Sequence, residues 1–195
     1  MSTPVPLLLT PEQYLDLERR SEIRSEYIAG RIFARSGASR RHNLIAGNLF
    51  RELSGQLRAR PCEVYVGDMR VKVSPTGMYT YPDIVAVCGD PHFEDTFLDT
   101  LLDPVLVVEV LSESTEAYDR GEKFAHYRRL DTLREYVLVA QDKIRVEHYL
   151  RAGEHWVLSE INDPNDTLHL PSIDCHVVLA AIYEKVDLSS LPTRP

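Results

Sequence analysis

The chain has 195 residues, with 22 Lys plus Arg against 30 Asp plus Glu and a net charge of −8. One ordinary domain fits that length, and a hydrophobic content of 44% supplies its core without staples, which disfavours disorder, collagen and a coiled coil. No apolar run approaches the roughly 20 residues of a membrane span, and the acid excess argues against coating nucleic acid or anionic lipid by bulk charge.

Only Leu7, Leu8 and Leu9 follow the first prolines, with no basic segment before them, so the sequence reads as a soluble, unexported, cytoplasmic protein. Cys62, Cys88 and Cys175 lack the paired spacing of zinc or redox motifs and are expected to be reduced, buried small hydrophobes. Arg40 with Arg41, and the run Lys123, Arg128 and Arg129, are candidates for a local basic patch; exposed helical charges are the plainer reading. Nothing divides the chain, which gives a short extension over 1–9, one domain over 10–186 and a tail over 187–195.

The first element begins at Thr10-Pro11-Glu12-Gln13. Thr10 can cap, Pro11 suits the first helical position, and Gln13 can complete a capping box, so a helix runs to about Arg20. Between Arg24 and Ala34, Tyr27, Ile28, Ile32 and Phe33 flank Ala29-Gly30, the pattern of a hairpin with a tight turn. Ser39 opens a long helix in which Ile45, Leu49, Leu53 and Leu57 recur every fourth residue until Pro61 ends it. From Cys62 to Val73 the apolar alternation changes parity, which a bulge near Gly67-Asp68 would reconcile. Tyr81 to Cys88 reads as a strand with Pro82 near its start, and Val105 to Leu111 as a central strand apolar on both faces. A helix is expected from Ser114 or Thr115 to Leu130. A hairpin, Arg134 to Ala140 and Lys143 to Leu150, and a strand from His155 to Ile161 follow. Mixed α/β or α+β architecture results.

Glu109 interrupts an otherwise apolar strand. A carboxylate buried there unpaired costs several kcal/mol, so a cation, a basic side chain or an open site must compensate it. Asp83, at the head of the preceding strand, is its natural companion, because two carboxylates on adjacent strands offer the hard oxygens that Mg²⁺ or Mn²⁺ prefers. Asp119 and Lys123 share a helix face. They form either an ordinary i,i+4 ion pair or a device that carries Lys123 toward the sheet carboxylates. His42, at the edge of the long helix's apolar stripe, is a packed or capping residue, or else an auxiliary ligand or proton carrier. Glu26 and Asp68 are weaker candidates, and the other histidines show no metal-ligand spacing. Zincin, phosphate-loop, dinucleotide and nucleophile-elbow motifs are absent.

Glu26-Tyr27 with Gly30, His42, Tyr81-Pro82-Asp83, Glu109-Val110-Leu111-Ser112, Thr115, Asp119, Lys123, Tyr127 and Glu135-Tyr136 together resemble the Uma-type family of restriction-endonuclease-like proteins, from about Thr10 to about Tyr183. The resemblance implies the PD-(D/E)XK nuclease fold, a central mixed sheet flanked by helices, with Asp83 and Glu109 at the two acidic motif positions. That signature expects Lys two residues after the second acid, where this chain has Leu111; Lys123 is the replacement the family likeness suggests. His42 or Glu52 would stand in for the usual Glu of the first core helix. The implied activity is Mg²⁺- or Mn²⁺-dependent hydrolysis of DNA phosphodiesters, with a homodimer plausible for two-strand cutting. The rivals are a non-catalytic domain that binds nucleic acid or protein, with Glu109 merely paired to Lys123, and a hydrolase of small phosphate esters. Convergence of Asp83, Glu109 and Lys123 would favour the nuclease; a solvent-facing Lys123 would weaken it.

Overall fold

The computed structural model describes residues 8–35 and 37–189, so most of the expected N-terminal extension and much of the C-terminal tail lie outside the described residues. Helix α1 (Pro11–Arg20) starts as its sequence predicts: the Thr10 hydroxyl accepts from the Gln13 N–H, and the Gln13 side chain accepts from the Thr10 N–H in return. Strands β1 (Ser25–Ile28) and β2 (Arg31–Ala34) form the expected hairpin. Its turn has positive φ at both Ala29 and Gly30, the requirement of a type I′ turn, and a Cβ on Gly30 would fall 2.8 Å from that of Leu8.

Helix α2 (Arg40–Leu57) is capped by Ser39 and buries Ile45, Leu49, Leu53 and Leu57. Two larger sheets follow. One has the order β2-β1-β5-β4-β7, with β4 (Arg70–Val73), β5 (Met78–Thr80) and β7 (Thr100–Leu101). The other has the order β11-β10-β9-β8-β6-β3, with β3 (Cys62–Val66), β6 (Ile84–Cys88), β8 (Leu106–Leu111), β9 (Glu135–Ala140), β10 (Val146–Ala152) and β11 (His155–Ile161). The β8–β9 pair is parallel and the rest of this sheet is antiparallel, which makes it the mixed central sheet expected. A small hairpin, β12 (Thr167–Leu170) and β13 (Cys175–Val178), leads to α5 (Leu179–Ile182).

The central sheet is covered on both faces, as the unbroken apolar run of β8 requires. On one face Ile84, Ala86, Leu106, Val108, Val137 and Val139 pack against α2, the β12–β13 hairpin and α5. On the other, Val85, Val87, Val107, Leu111, Tyr136 and Leu138 meet Phe124, Tyr127, Leu130 and the inward residues of the second sheet, Val71, Val73 and Met78.

Four expectations are corrected. The parity change between Cys62 and Val73 is not a bulge within one strand: β3 and β4 belong to different sheets, and Gly67, at positive φ, lies in the crossing. The strand expected from Tyr81 begins at Ile84, because Tyr81-Pro82-Asp83 carries the chain from β5 in one sheet to β6 in the other. The helix after Thr115 is interrupted: α3 (Glu116–Tyr118) and α4 (Phe124–Tyr127) are joined by a π-helical turn over Asp119–Lys123. Cys62 and Cys88 are disulfide-bonded and only Cys175 is a buried thiol. These two cysteines are directly opposed in the β3–β6 register, a relation that linear spacing does not carry. Among the described residues, no helix is long and apolar enough to cross a membrane.

Candidate active site

The site lies where the two large sheets meet. Asp83 immediately precedes Ile84, whose partner in the β6–β8 ladder is Val108, the residue before Glu109. The end of this ladder thus brings the two carboxyls into one cavity, close enough for each charge to act on the other. One Asp83 oxygen accepts the Val110 N–H at 2.7 Å and lies 3.0 Å from His42 Nε2 in the first turn of α2. The other oxygen is 3.5 Å from the Arg35 guanidinium. Burial pushes the Asp83 carboxyl up, but the His42 hydrogen bond and charge, the Val110 N–H and Lys123 together hold it below the ordinary carboxylate range.

Glu109 is met from the helical segment. Asp119, Lys123 and Tyr127, spaced four apart, turn toward it along one row. Lys123 Nζ lies 2.9 Å from Glu109 Oε1, 3.1 Å from Glu26 Oε1 and 3.6 Å from Asp119 Oδ1. Its side chain is only 6% exposed. The Tyr127 hydroxyl is 3.2 Å from the same Glu109 oxygen. Glu26, inward-facing on β1, accepts the Thr80 hydroxyl at 2.6 Å. Burial drives the Glu109 carboxyl well above its ordinary value, with Lys123 opposing and Asp119 and Asp83 adding to the rise. Burial likewise raises Asp119. Burial disfavours the Lys123 ammonium, but Glu109, Glu26 and Asp119 outweigh it and hold its pKa well above the usual lysine range.

Behind this cluster a second polar network fixes its supports. Arg70, fully buried, donates to the Thr100 hydroxyl and to the Tyr81 hydroxyl, both at 2.9 Å. Tyr81 in turn donates to Glu18 of α1, which also accepts the Ser25 N–H. Tyr81 is thus tied at its ring end, which locks the crossing segment that carries Asp83.

Four carboxyls, Glu26, Asp83, Glu109 and Asp119, face two permanent cations, Lys123 and Arg35. The four carboxyls outnumber Lys123 and Arg35 by two, and neighbouring carboxyls add to the rise that burial causes in Glu109 and Asp119. Among the described residues, no three or more His, Cys, Asp or Glu side chains are grouped to hold a metal by themselves. A pair of neighbouring carboxylates in an acidic pocket nevertheless fits a small hard cation such as Mg²⁺, which takes one or two carboxylates and completes its shell with water and phosphate oxygens.

These groups line a cavity of about 590 Å³. Lys123 therefore faces the sheet carboxylates and not solvent, and Asp83, Glu109, Lys123 and His42 all line one pocket. Glu26, ranked low from sequence because a hairpin edge tends to be wet, is 8% exposed and inside the site. The signal that could have found it is parity: Glu26 and Ile28, two apart on β1, share one face, and both line the cavity. The sequence carries no local signal for Arg35, whereas Tyr127 follows Lys123 by one helical turn. Glu52 is corrected: it pairs with Arg51 on α2 and does not line the cavity. Asp68 stays exposed, 3.9 Å from Arg24. The run Lys123, Arg128 and Arg129 is not one surface patch, because Lys123 is buried while both arginines are exposed.

A mixed sheet thus carries an acid pair and a buried lysine into one cavity. Residues 11–181 match the family model Uma2, described as "Putative restriction endonuclease", and the chain belongs to that family. Two curated relatives come from Synechocystis sp.: "Uncharacterized protein sll1609", 37% identical over 159 residues covering 81% of this chain and 90% of the relative, and "Uncharacterized protein slr1290", 35% identical over 183 residues covering 93% and 94%. Among solved structures, "a putative nuclease belonging to DUF820" from Anabaena variabilis superimposes with a TM-score of 0.75 at 18% identity, covering 90% of this chain and 97% of that one. The two share a fold.

Proposed function

We propose that the protein is an endonuclease that hydrolyses DNA phosphodiester bonds with Mg²⁺ or Mn²⁺, and that Asp83 and Glu109 are the residues that hold the cation. The observation that carries this reading is the buried meeting of Asp83, Glu109 and Lys123 in one cavity beside His42. The cation would supply positive charge against the phosphate and acidify water at neutral pH. Lys123, with three rotatable donors and no acceptor, orients the attacking water or steadies a phosphate oxygen as charge builds there. His42, whose Nε2 lies 3.0 Å from Asp83, orients that carboxylate and is the candidate proton carrier of the site. Glu26 and Tyr127 hold Lys123 and Glu109 in place. A homodimer would supply two such sites for two-strand cutting.

Purified protein is expected to cut plasmid and linear DNA when Mg²⁺ or Mn²⁺ is added and to lose cutting with Asp83→Ala; equal activity in the two proteins refutes the assignment. The contact of 2.9 Å between Lys123 and Glu109 also suits a second reading, a non-catalytic binding domain in which the pair is structural. Titration calorimetry with Mg²⁺ or Mn²⁺ separates them. Specific heat lost in Glu109→Ala supports the enzyme, whereas no cation binding and a destabilised variant support the structural pair.

A further inference from the structure

Two histidines outside the acidic cavity stand together on the β12–β13 hairpin. His169 and His176 are directly opposed in its register, and neither lines the cavity. Seven residues apart in sequence, they lack a linear metal-ligand spacing and are joined only by strand pairing. Alternation sends Leu168, Leu170, Cys175 and Val177 into the core and leaves both imidazoles exposed on the outer face. The Gln56 side chain of α2 accepts the His176 N–H at 3.0 Å and donates to the His176 carbonyl at 2.9 Å, so both main-chain groups of His176 point away from β12. His169 and His176 therefore form a non-hydrogen-bonded pair, the kind in which opposed side chains come closest.

The two rings meet Nδ1 to Nδ1 at 2.8 Å, with their planes at 74°. Two imidazole nitrogens that each lie about 2.0–2.1 Å from one ion, at a coordination angle of roughly 90–110°, are about 3 Å apart. The pair is thus set for chelation with a movement of a few tenths of an ångström. Asp174, in the hairpin turn, places a carboxylate oxygen 3.9 Å from His176 Nε2, the nitrogen remote from His169. Negative charge there favours the proton on Nε2 and leaves the Nδ1 lone pair for a metal, as outer carboxylates commonly do for histidine ligands. Imidazole nitrogens suit Zn²⁺, Cu²⁺ or Ni²⁺, whereas Mg²⁺ prefers oxygen.

We propose that His169 and His176 form a chelating site for a late first-row transition-metal ion such as Zn²⁺, separate from the acidic cavity, and that the bound ion clips β12 to β13. The other coordination positions fall to water, since among the described residues no third His, Cys, Asp or Glu joins the pair. The core on one side and Gln56 on the other already hold the strand that carries His176, so binding costs little ordering. Whether the acidic cavity cuts nucleic acid has no bearing on this site.

The test titrates Zn²⁺ alone into the full chain, His169→Gln, His176→Gln and, as a control at another exposed histidine, His155→Gln, by calorimetry. Loss of either ligand is expected to weaken binding by at least the roughly 10–100-fold that loss of an outer partner costs, and His155→Gln to leave it unchanged. At a free Zn²⁺ concentration about 100-fold above its Kd, the melting temperature of the parent should rise by about 5–10 °C, and that of either ligand variant should not. Both rings are exposed, so the metal-free variants should match the parent in circular dichroism. Electron paramagnetic resonance with Cu²⁺ as the probe should show two coordinated nitrogens in the parent and fewer in each ligand variant, which distinguishes this site from the carboxylates of the cavity. Zn²⁺ bound equally by the parent and His169→Gln, no binding by the parent, or a Cu²⁺ signal unchanged by both substitutions overturns the proposal and leaves an ordinary hydrogen bond between the two rings.

Discussion

Replacing Lys123 by Met keeps most of the side-chain volume and removes the ammonium that lies within 3.6 Å of Glu109, Glu26 and Asp119. The three carboxyls then face one another in a largely buried site that screens them poorly. Removing one partner of a buried ion pair costs about 3–5 kcal/mol, because the remaining charge is left uncompensated. For a chain of this length about 1 kcal/mol corresponds to roughly 2–4 °C, so the melting temperature at pH 7 should fall by about 10 °C. The pH dependence carries a sign. Glu109 already binds its proton more tightly folded than unfolded, a contribution present below the ordinary glutamate pKa and lost as pH rises through the folded value. Without Lys123 that pKa rises further, so the variant should regain stability on acidification toward pH 5, where the carboxyls can neutralise. Adding Glu109→Gln to Lys123→Met should likewise recover much of the loss. Urea unfolding of the parent, both single variants and the double variant at pH 5 and pH 7 measures all of this. A loss below about 1 kcal/mol at pH 7, or a double variant no more stable than Lys123→Met, would refute the claim that Lys123 is the counter-charge of this cluster.

Reduction of the Cys62–Cys88 disulfide, which closes a separation of 26 residues, should lower stability by about 3.5 kcal/mol through the larger entropy of the unfolded chain, readable as a fall in melting temperature on adding dithiothreitol. Asp99 is held below the ordinary carboxylate range first by its hydrogen bond to Arg19, against burial, and then by Arg70. Its stabilisation is present above the unfolded pKa of about 4 and is lost as pH falls through the folded value; an acid titration followed by fluorescence should therefore show a shallower loss in Asp99→Asn than in the parent. Leu49→Ala, at a fully buried position on α2, should cost about 2–5 kcal/mol in denaturant unfolding while leaving the polar site assembled, and a cost under 1 kcal/mol would contradict the packing of α2 on the central sheet.

Local chemistry in the sequence determined more of this protein than its elements alone. The Thr10–Gln13 box, the Ala29-Gly30 turn, the four-residue stripe of α2 and the two-sided apolarity of β8 each depend on neighbours within a few residues, so each could be read without knowing the fold. Glu109 could also be flagged, because a carboxylate in an apolar strand demands a partner wherever the strand lies. The identity of that partner was legible in part, through the i,i+4 relation of Asp119 and Lys123. What tertiary structure alone decided was register and sheet membership. A strand sequence does not state which residue will face it, so the opposition of Cys62 to Cys88 stayed hidden, and Glu26 read as a wet hairpin edge. The division of Cys62 to Val73 between two sheets follows from the same limit: alternation reports that a strand changes face, and only packing shows whether it has bulged or left for another sheet. The acidic total of −8 was fixed by composition. Its concentration of four carboxyls around one lysine and one arginine arises because β1, β6, β8 and the helical segment converge where the sheets meet.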